Sequence, residues 1–571
     1  MKIIYLAACG LFTASLVGCG GAASNGTSSS GSIGSTSGSI GSTSGSPSSS
    51  GNPTTVKSNP RYPAPSSSTS SSSGQSSSTS SSSSSSSSGI MSRDAFIAQQ
   101  VNPFVATVFD PLSTFAIDVD TASYDIFYRA ASESSALPDP DSVRTEEYVN
   151  YFKYQYPAPA LDAVKPFSVN MALTPNILDR STHILRVGLK AAAAPKVPKP
   201  ANLVFLVDVS GSMNGSDRLP LVKNVLKETL NILQDDDHIS IVTYSSAISL
   251  ALDTTAVKNK ANIIQVIDSL AAGGSTDGGR GIQLAYDQAR AGFINGGINH
   301  IVLCTDGDFN VGTTSNEALV ALIEQERKSG VTLTTLGFGT GNLNDGMMEK
   351  TSNAGNGIYS VITSERHARR YVEERLLSNL TYVAKDVKIQ MEFNPDMVSA
   401  YRLLGYEDRD IADKDFRNDK IDAGEIGAGH TVTALYEVVL RGNLQPIITG
   451  APVIKSGDRY KGILEGAYDD LALAKVRYKD VNASETTPAK EFSVSIKNAE
   501  DSFTNADADM RWATAIAAYA ELLRHSPFAD KKAISQMEAV FKEQSTRDTD
   551  RKEFYNLYLK TKPSLTTSVT P

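Results

Sequence analysis

Between Pro200 and Leu380 the chain alternates short, nearly continuous apolar runs with longer segments of helical period, and this alternation leaves few folds open. The first run, Ala201-Asn202-Leu203-Val204-Phe205-Leu206-Val207, carries apolar side chains on both faces of an extended strand. Strands of that kind need cover on both sides, which a parallel sheet between two layers of helices provides. Strands are expected over 203–208, 239–244, 300–305, 331–337 and 357–360, with helices near 219–233, 279–291, 316–328, 343–354 and 364–380. The fold class that follows is α/β, a doubly wound and mostly parallel Rossmann-like sheet.

The ends of the chain are different. With 571 residues, 40% hydrophobic and 20% charged, there is material for two or three cores. A net charge of -9 argues against nucleic acid as a partner, because neutralising phosphates needs a basic face. Lys2 followed by the apolar stretch 3–17 reads as a signal peptide, too short to span a bilayer. It ends in Leu16-Val17-Gly18-Cys19, which resembles the bacterial lipoprotein processing box. That resemblance makes Cys19 the lipid-bearing first residue of the mature chain. Gly20 in the next position resembles the pattern of outer-membrane lipoproteins in a diderm bacterium. The stretch 20–89 is almost entirely Ser, Gly and Thr, cannot bury a core, and as a coil of that length would reach about 50 Å. Cys304, the one cysteine outside the leader, sits in an apolar run and reads as a small buried hydrophobe.

The regions expected are 1–18 (leader), 19–91 (tether), 92–198 (small mixed region), 199–380 (parallel sheet) and 381–571 (β-rich, with terminal helices). In the second flank, 386–393, 431–440, 473–478 and 491–496 alternate as half-buried strands do, predicting an antiparallel sheet or sandwich, followed by a helix over 507–524. In the first flank, 113–119 reads as a strand and 122–131 and 144–152 as short helices. Asp118-Val119-Asp120-Thr121 superficially resembles an aspartyl-phosphate box, but Ala122 stands in the fifth position, and a strand end with Asp120 or Thr121 capping the next helix is the better account. The acidic stretch from Glu407 to Asp422 lacks the order of a calcium loop and is expected to be solvated. Arg280-Gly281 follows the glycines near Thr276 where a phosphate-binding loop needs Lys and Ser or Thr, which excludes nucleotide.

Function is concentrated in three loops, each leaving the carboxyl end of an expected strand. Asp208-Val209-Ser210-Gly211-Ser212 offers three oxygen side chains in five residues, Thr276 follows Gly273-Gly274-Ser275, and Asp306 follows the run 301–304. A hard divalent cation takes oxygen ligands, and neutral hydroxyls leave it electrophilic enough to accept an outside carboxylate. Carboxylates behind the hydroxyls would hold water and fix their rotamers. Helix caps and turns favour the same residue types and are the competing account. The set resembles the metal-ion-dependent adhesion site of the von Willebrand factor type A (VWA) domain. By that resemblance Ser210, Ser212 and Thr276 touch the metal while Asp208 and Asp306 act mainly through water. Mg²⁺ is the first candidate, with Mn²⁺ and Ca²⁺ compatible.

Beyond this motif, 115–124, 144–152 and Asp509-Met510-Arg511-Trp512-Ala513 resemble segments of a bacterial family of VWA lipoproteins, a likeness covering most of 100–530. That likeness adds little about role; the resemblances of the metal motif and of the leader together imply a membrane-anchored, cation-dependent protein-binding module whose partner offers an Asp or Glu carboxylate, in the cell envelope and by the Gly20 cue at the outer membrane. The alternatives are an envelope assembly component whose metal only stabilises the domain, and a metal-dependent hydrolase. Against an enzyme, none of His183, His238, His300, His367, His430 and His525 forms a close zinc pair, and no serine has a motif-placed base.

Overall fold

The computed structural model describes residues 94–567 apart from 161–162, 178–181, 194–197, 276–278, 308–315, 377–379, 443–452, 455–458, 485 and 498–501. The leader, Cys19, the Ser/Gly-rich tract and Thr276 lie outside the described residues.

The central sheet runs in the order Tyr359–Ile362, Thr332–Phe338, Ile298–Thr305, Ala201–Asp208, His238–Tyr244, Ile248–Ala256. All pairings are parallel except the last, where Ile248–Ala256 runs antiparallel along the edge. Alternation on Ala201–Asp208 divides the core in two. Leu203, Phe205 and Val207 face helices Leu219–Ile232 and Lys260–Ser269, while Val204 and Leu206 face Gly279–Ala291, Asn316–Glu326 and Asp345–Ala354. The edge strand and the helix Lys260–Ser269 were not expected. The strand keeps much of its surface in water, so Asp253, Thr254 and Thr255 interrupt its apolar pattern.

The flanks depart from the expected division. Regions 92–198 and 381–571, read as separate, supply strands to the same two sheets. One sheet has the order Val453–Ile454, Phe104–Ala106, Val398–Leu404, Thr431–Leu440, His183–Ala191, Phe167–Pro175. In the other, Gly424–Gly427, Tyr382–Phe393, Ala472–Lys479 and Lys490–Ile496 are joined by Leu112–Ala116, which pairs with Tyr382–Phe393. Leu185, Val187, Leu189 and Tyr436 share a core with Ile389, Met391 and Val476, so the sheets form a sandwich. The physical reason is that a two-stranded hairpin such as 167–191 cannot bury its apolar face alone. Beside the sandwich, Ala122–Glu133, Thr145–Asn150, Ala508–Leu523, Ala533–Gln544 and Thr549–Thr567 pack through Tyr124, Phe152, Trp512, Phe541 and Phe554. Asp507 starts the long helix by accepting the Met510 amide at 2.7 Å. Among the described residues no helix is long and apolar enough to cross a membrane.

Candidate metal centre

The chain leaves strand Ala201–Asp208 toward His238–Tyr244 and later returns to lay Ile298–Thr305 on its other side. Such a reversal opens a crevice at the carboxyl ends of the strands. Asp208 ends one of the two bordering strands and Asp306 follows the other, and both are at most 1% exposed. Asp208 Oδ1 accepts the Ser210 amide at 2.8 Å and Oδ2 accepts the Thr305 hydroxyl at 3.1 Å. Ser210 Oγ lies 2.9 Å from Ser212 Oγ. Ser210 stands at the head of the turn Gly211–Asn214 but makes no capping bond with its side chain, so the helix-cap account does not describe this hydroxyl.

The third loop is stitched to the first. The Gly211 amide donates to Gly274 O at 2.9 Å and the Gly273 amide to Val209 O at 2.7 Å. Gly274 has φ of +86°, and a Cβ there would lie 2.6 Å from Ser246 Oγ, so the turn requires glycine. These bonds bring the segment just before Thr276 to the Asp-x-Ser-x-Ser loop.

Two further residues reach the centre that the sequence reading missed. Asn342 Nδ2 donates to Asp306 Oδ2 at 3.3 Å, and Arg218 Nη1 lies 3.7 Å from the same oxygen. Arg218 also donates to Ser212 O and, at 2.6 Å, to Thr340 O. Neither belongs to a motif of fixed spacing; the only trace in the sequence is the glycine-rich stretch Gly337-Phe338-Gly339-Thr340-Gly341, a loop signal without chemical content.

Burial pushes the Asp208 carboxyl up to about 6 against the pull of the Ser210 amide, and the neighbouring Asp306 charge pushes the same way. Two buried carboxylates behind two converging hydroxyls make an oxygen-rich mouth, with the Arg218 guanidinium offsetting part of the Asp306 charge. That donor set fits a hard divalent cation. Among the described residues no group of three or more His, Cys, Asp or Glu side chains is arranged to hold a metal ion.

The other chemistry-bearing residues are accounted for structurally. His300 is fully buried against the Thr332 hydroxyl at 2.6 Å and burial pushes it down to about 3. Cys304 is buried. Asp120, expected as a possible helix cap, instead accepts the Tyr359 amide at 2.9 Å and Arg409 at 3.1 Å, and Thr121 makes no side-chain cap. The acidic stretch is more tied down than the expected solvated loop. Glu407 pairs with Arg524 at 2.8 Å, Asp419 with Arg477 at 2.7 Å, and Asp422 with Arg327.

A six-stranded sheet covered on both faces, with Asp-x-Ser-x-Ser at its crevice, defines a VWA domain, and the family model for the von Willebrand factor type A domain matches residues 202–374. A second model, described as von Willebrand factor, matches 90–186, and a third, described as uncharacterized protein YfbK, C-terminal, matches 378–563. The chain belongs to the YfbK family: it is 39% identical over 469 residues to uncharacterized protein YfbK of Escherichia coli (strain K12), covering 80% of this chain and 79% of that one. It is also 25% identical over 263 residues to inter-alpha-trypsin inhibitor heavy chain H3 of Mesocricetus auratus, covering 43% of this chain and 29% of the relative. Among solved structures, a von Willebrand factor type A protein from Catenulispora acidiphila matches with a TM-score of 0.40 at 15% identity, over 73% of this chain and 90% of that one.

Proposed function

We propose that this protein is a lipid-anchored envelope component that binds a protein partner through a divalent cation at the Asp208/Asp306 crevice. The reading is supported above all by the 2.9 Å approach of the Ser210 and Ser212 hydroxyls, uncommitted to helix capping, in front of two buried carboxylates. Ser210, Ser212 and Thr276 would hold the cation, Mg²⁺ before Mn²⁺ or Ca²⁺, with Asp208 and Asp306 acting through water. When bound, the cation supplies a Lewis-acidic position for an Asp or Glu carboxylate of the partner. The chain's own residues do the rest. The Ser210 amide and Thr305 hydroxyl fix the Asp208 rotamer, and Asn342 and Arg218 hold Asp306. Lipid on Cys19 and the tract 20–89 would place this crevice at a distance from the membrane, with the outer membrane as the proposed location.

Asp208→Ala and Thr276→Ala test the reading together. Mn²⁺ calorimetry should show binding lost in the first and weakened less in the second, while capture of partners from solubilised membranes should drop in both and drop with chelator. Full partner capture by an Asp208→Ala protein that no longer binds Mn²⁺ would mean that the cation only stabilises an assembly component, and the adhesion reading would be wrong.

A further inference from the structure

The loop 339–344 joins strand Thr332–Phe338 to helix Asp345–Ala354, buries Leu343 in the core with Ile126, Tyr359 and Val361, and turns at Gly339 and Gly341, which both adopt positive φ, +75° and +88°. Around the Leu343 anchor, the polar part of the loop is gripped from two sides. The metal centre holds it through Arg218, which donates to Thr340 O at 2.6 Å, and through Asn342, which donates to Asp306 at 3.3 Å. Gly307 presses on the same backbone: a Cβ there would lie 2.6 Å from Leu343 Cα and Asn344 N.

The N-terminal end of the described fold holds the same loop. Asp94 Oδ1 accepts the Gly341 amide at 2.7 Å and the Leu343 amide at 3.0 Å. The Ala95 amide donates to Leu343 O at 2.7 Å, and Ala95 O accepts the Asp345 amide at 3.2 Å. Arg129 closes the arrangement, pairing with Asp94 Oδ2 at 2.8 Å and donating to Gly339 O at 2.6 Å. The Asp94 side chain is 3% exposed and that of Arg129 is 9% exposed, so these charge-assisted bonds are sheltered from water and salt. Along six residues, contacts to Asp94, Ala95 and Arg129 are interleaved with contacts to Arg218, Asp306 and Gly307.

We infer that Asp94, locked by Arg129, is a positioning residue for the metal centre: by fixing loop 339–344 it sets where Asn342 meets Asp306, and so links cation binding to the anchorage of the chain's N-terminal junction. The inference rests on the metal-centre reading above. Linkage is reciprocal, so what strengthens one end strengthens the other. Asp94 follows the tract 20–89 by five residues of sequence.

The test uses the full chain, Mn²⁺ as probe, and two readouts. Amide exchange of the wild type should slow several-fold at Ala95, Gly341 and Leu343 when Mn²⁺ is added. In calorimetry, Asp94→Ala should weaken Mn²⁺ binding by about tenfold, the scale on which supporting contacts act. Asp94→Asn, which keeps an acceptor for the two loop amides but loses the pairing with Arg129, should fold and fall between. Because Asp94 acts through Asn342, the double variant with Asn342→Ala should bind no more weakly than Asn342→Ala alone. Additive losses in the double variant, or unchanged exchange at Ala95 in a wild type that does bind Mn²⁺, would overturn the linkage and leave the metal site standing. If the wild type takes up no Mn²⁺, the site and the linkage fall together.

Discussion

Two of the places where the described residues gather buried carboxylates do opposite things with them. Where the segments 118–121 and 144–147 meet helix Asp345–Ala354, the protein supplies its own cations. Arg144 reaches Asp345 at 2.6 and 3.2 Å, Glu349 at 3.5 Å and also Glu147, while Arg409 reaches Asp118 at 2.9 Å, Asp120 at 3.1 Å and Glu349 at 3.7 Å. At the VWA crevice, by contrast, two carboxylates stand behind hydroxyls that turn toward each other. The first arrangement is a weld, because guanidinium groups occupy the directions in which the carboxylates can accept. The second leaves two hydroxyls presented at the edge of the sheet. Residue type alone does not distinguish them; what does is how arginine is used: Arg144 and Arg409 donate directly to carboxylates in the first, whereas Arg218 at the crevice stays 3.7 Å from Asp306 and donates to the backbone carbonyls of Ser212 and Thr340.

The weld should break hardest. Arg144→Ala leaves Asp345, Glu147 and Glu349 buried without their shared cation and should cost about 3–5 kcal/mol in thermal or urea unfolding. A loss under about 1 kcal/mol would mean that water fills the gap and the weld is incidental. Next is the weld's weak point. Both Glu146 carboxylate oxygens lack a donor from any other described residue, and burial together with Glu407, Asp408 and Asp118 pushes this carboxyl up to about 8. A carboxyl raised above its ordinary value by folding contributes stability that is complete below about 4.5 and is lost as pH climbs through about 8. Burial and the Asp118 and Glu146 charges raise Glu147 too, against the pull of Arg144. The melting temperature should therefore fall between pH 5.5 and 8.5, and Glu146→Gln, whose amide can donate to the neighbouring carboxylates, should gain about 1–3 kcal/mol at pH 8.5 and flatten the slope. An equally steep profile in the variant would place the titration elsewhere.

The crevice should respond in affinity rather than stability. Ser212→Ala removes one hydroxyl from a half-buried position, so the melting point should hold while Mn²⁺ affinity falls about tenfold, near 1.4 kcal/mol. A large drop in melting temperature with unchanged affinity would make Ser212 part of the scaffold and erase the contrast between the two places. The smallest effect belongs outside both. Shortening the Ser/Gly tract 20–89 should leave the melting temperature within about 1 °C, and a fall of several degrees would show that the tract packs on the fold.

How much of this could be read from the residues follows the range of the interactions. Strand Ala201–Asp208 and its neighbours were legible because strands covered on both faces write their burial into consecutive residues. The placement of Asp208 and Asp306 at the carboxyl ends of neighbouring strands was legible because each closes an apolar run. The strands Phe167–Pro175, His183–Ala191 and Val398–Leu404 were not read. His183–Ala191 places Arg186, held by Asp507 and Asn170, amid its apolar residues, so the local pattern is blurred by a partner more than three hundred residues away. Asn342 and Arg218 were illegible for the same reason. Their roles come from a loop whose position is decided by contacts to Asp94 and Asp306, and no local period encodes a grip of that kind.

The shared sandwich also sets an order of events. His183–Ala191 has Phe167–Pro175 as an early neighbour, but its other edge waits for Thr431–Leu440, synthesised roughly 240 residues later. In between, the parallel sheet draws all its strands from one continuous stretch and can close while the flanks are still incomplete. A chain delivered from its N-terminus thus passes through a period with a finished middle and an open, apolar half-sandwich ahead of it. Edges of that kind are prone to wrong pairings. Strands Phe167–Pro175 and His183–Ala191 therefore need shielding until 431–440 arrives, and mutations that slow its delivery should cause aggregation without touching the stability of the finished fold.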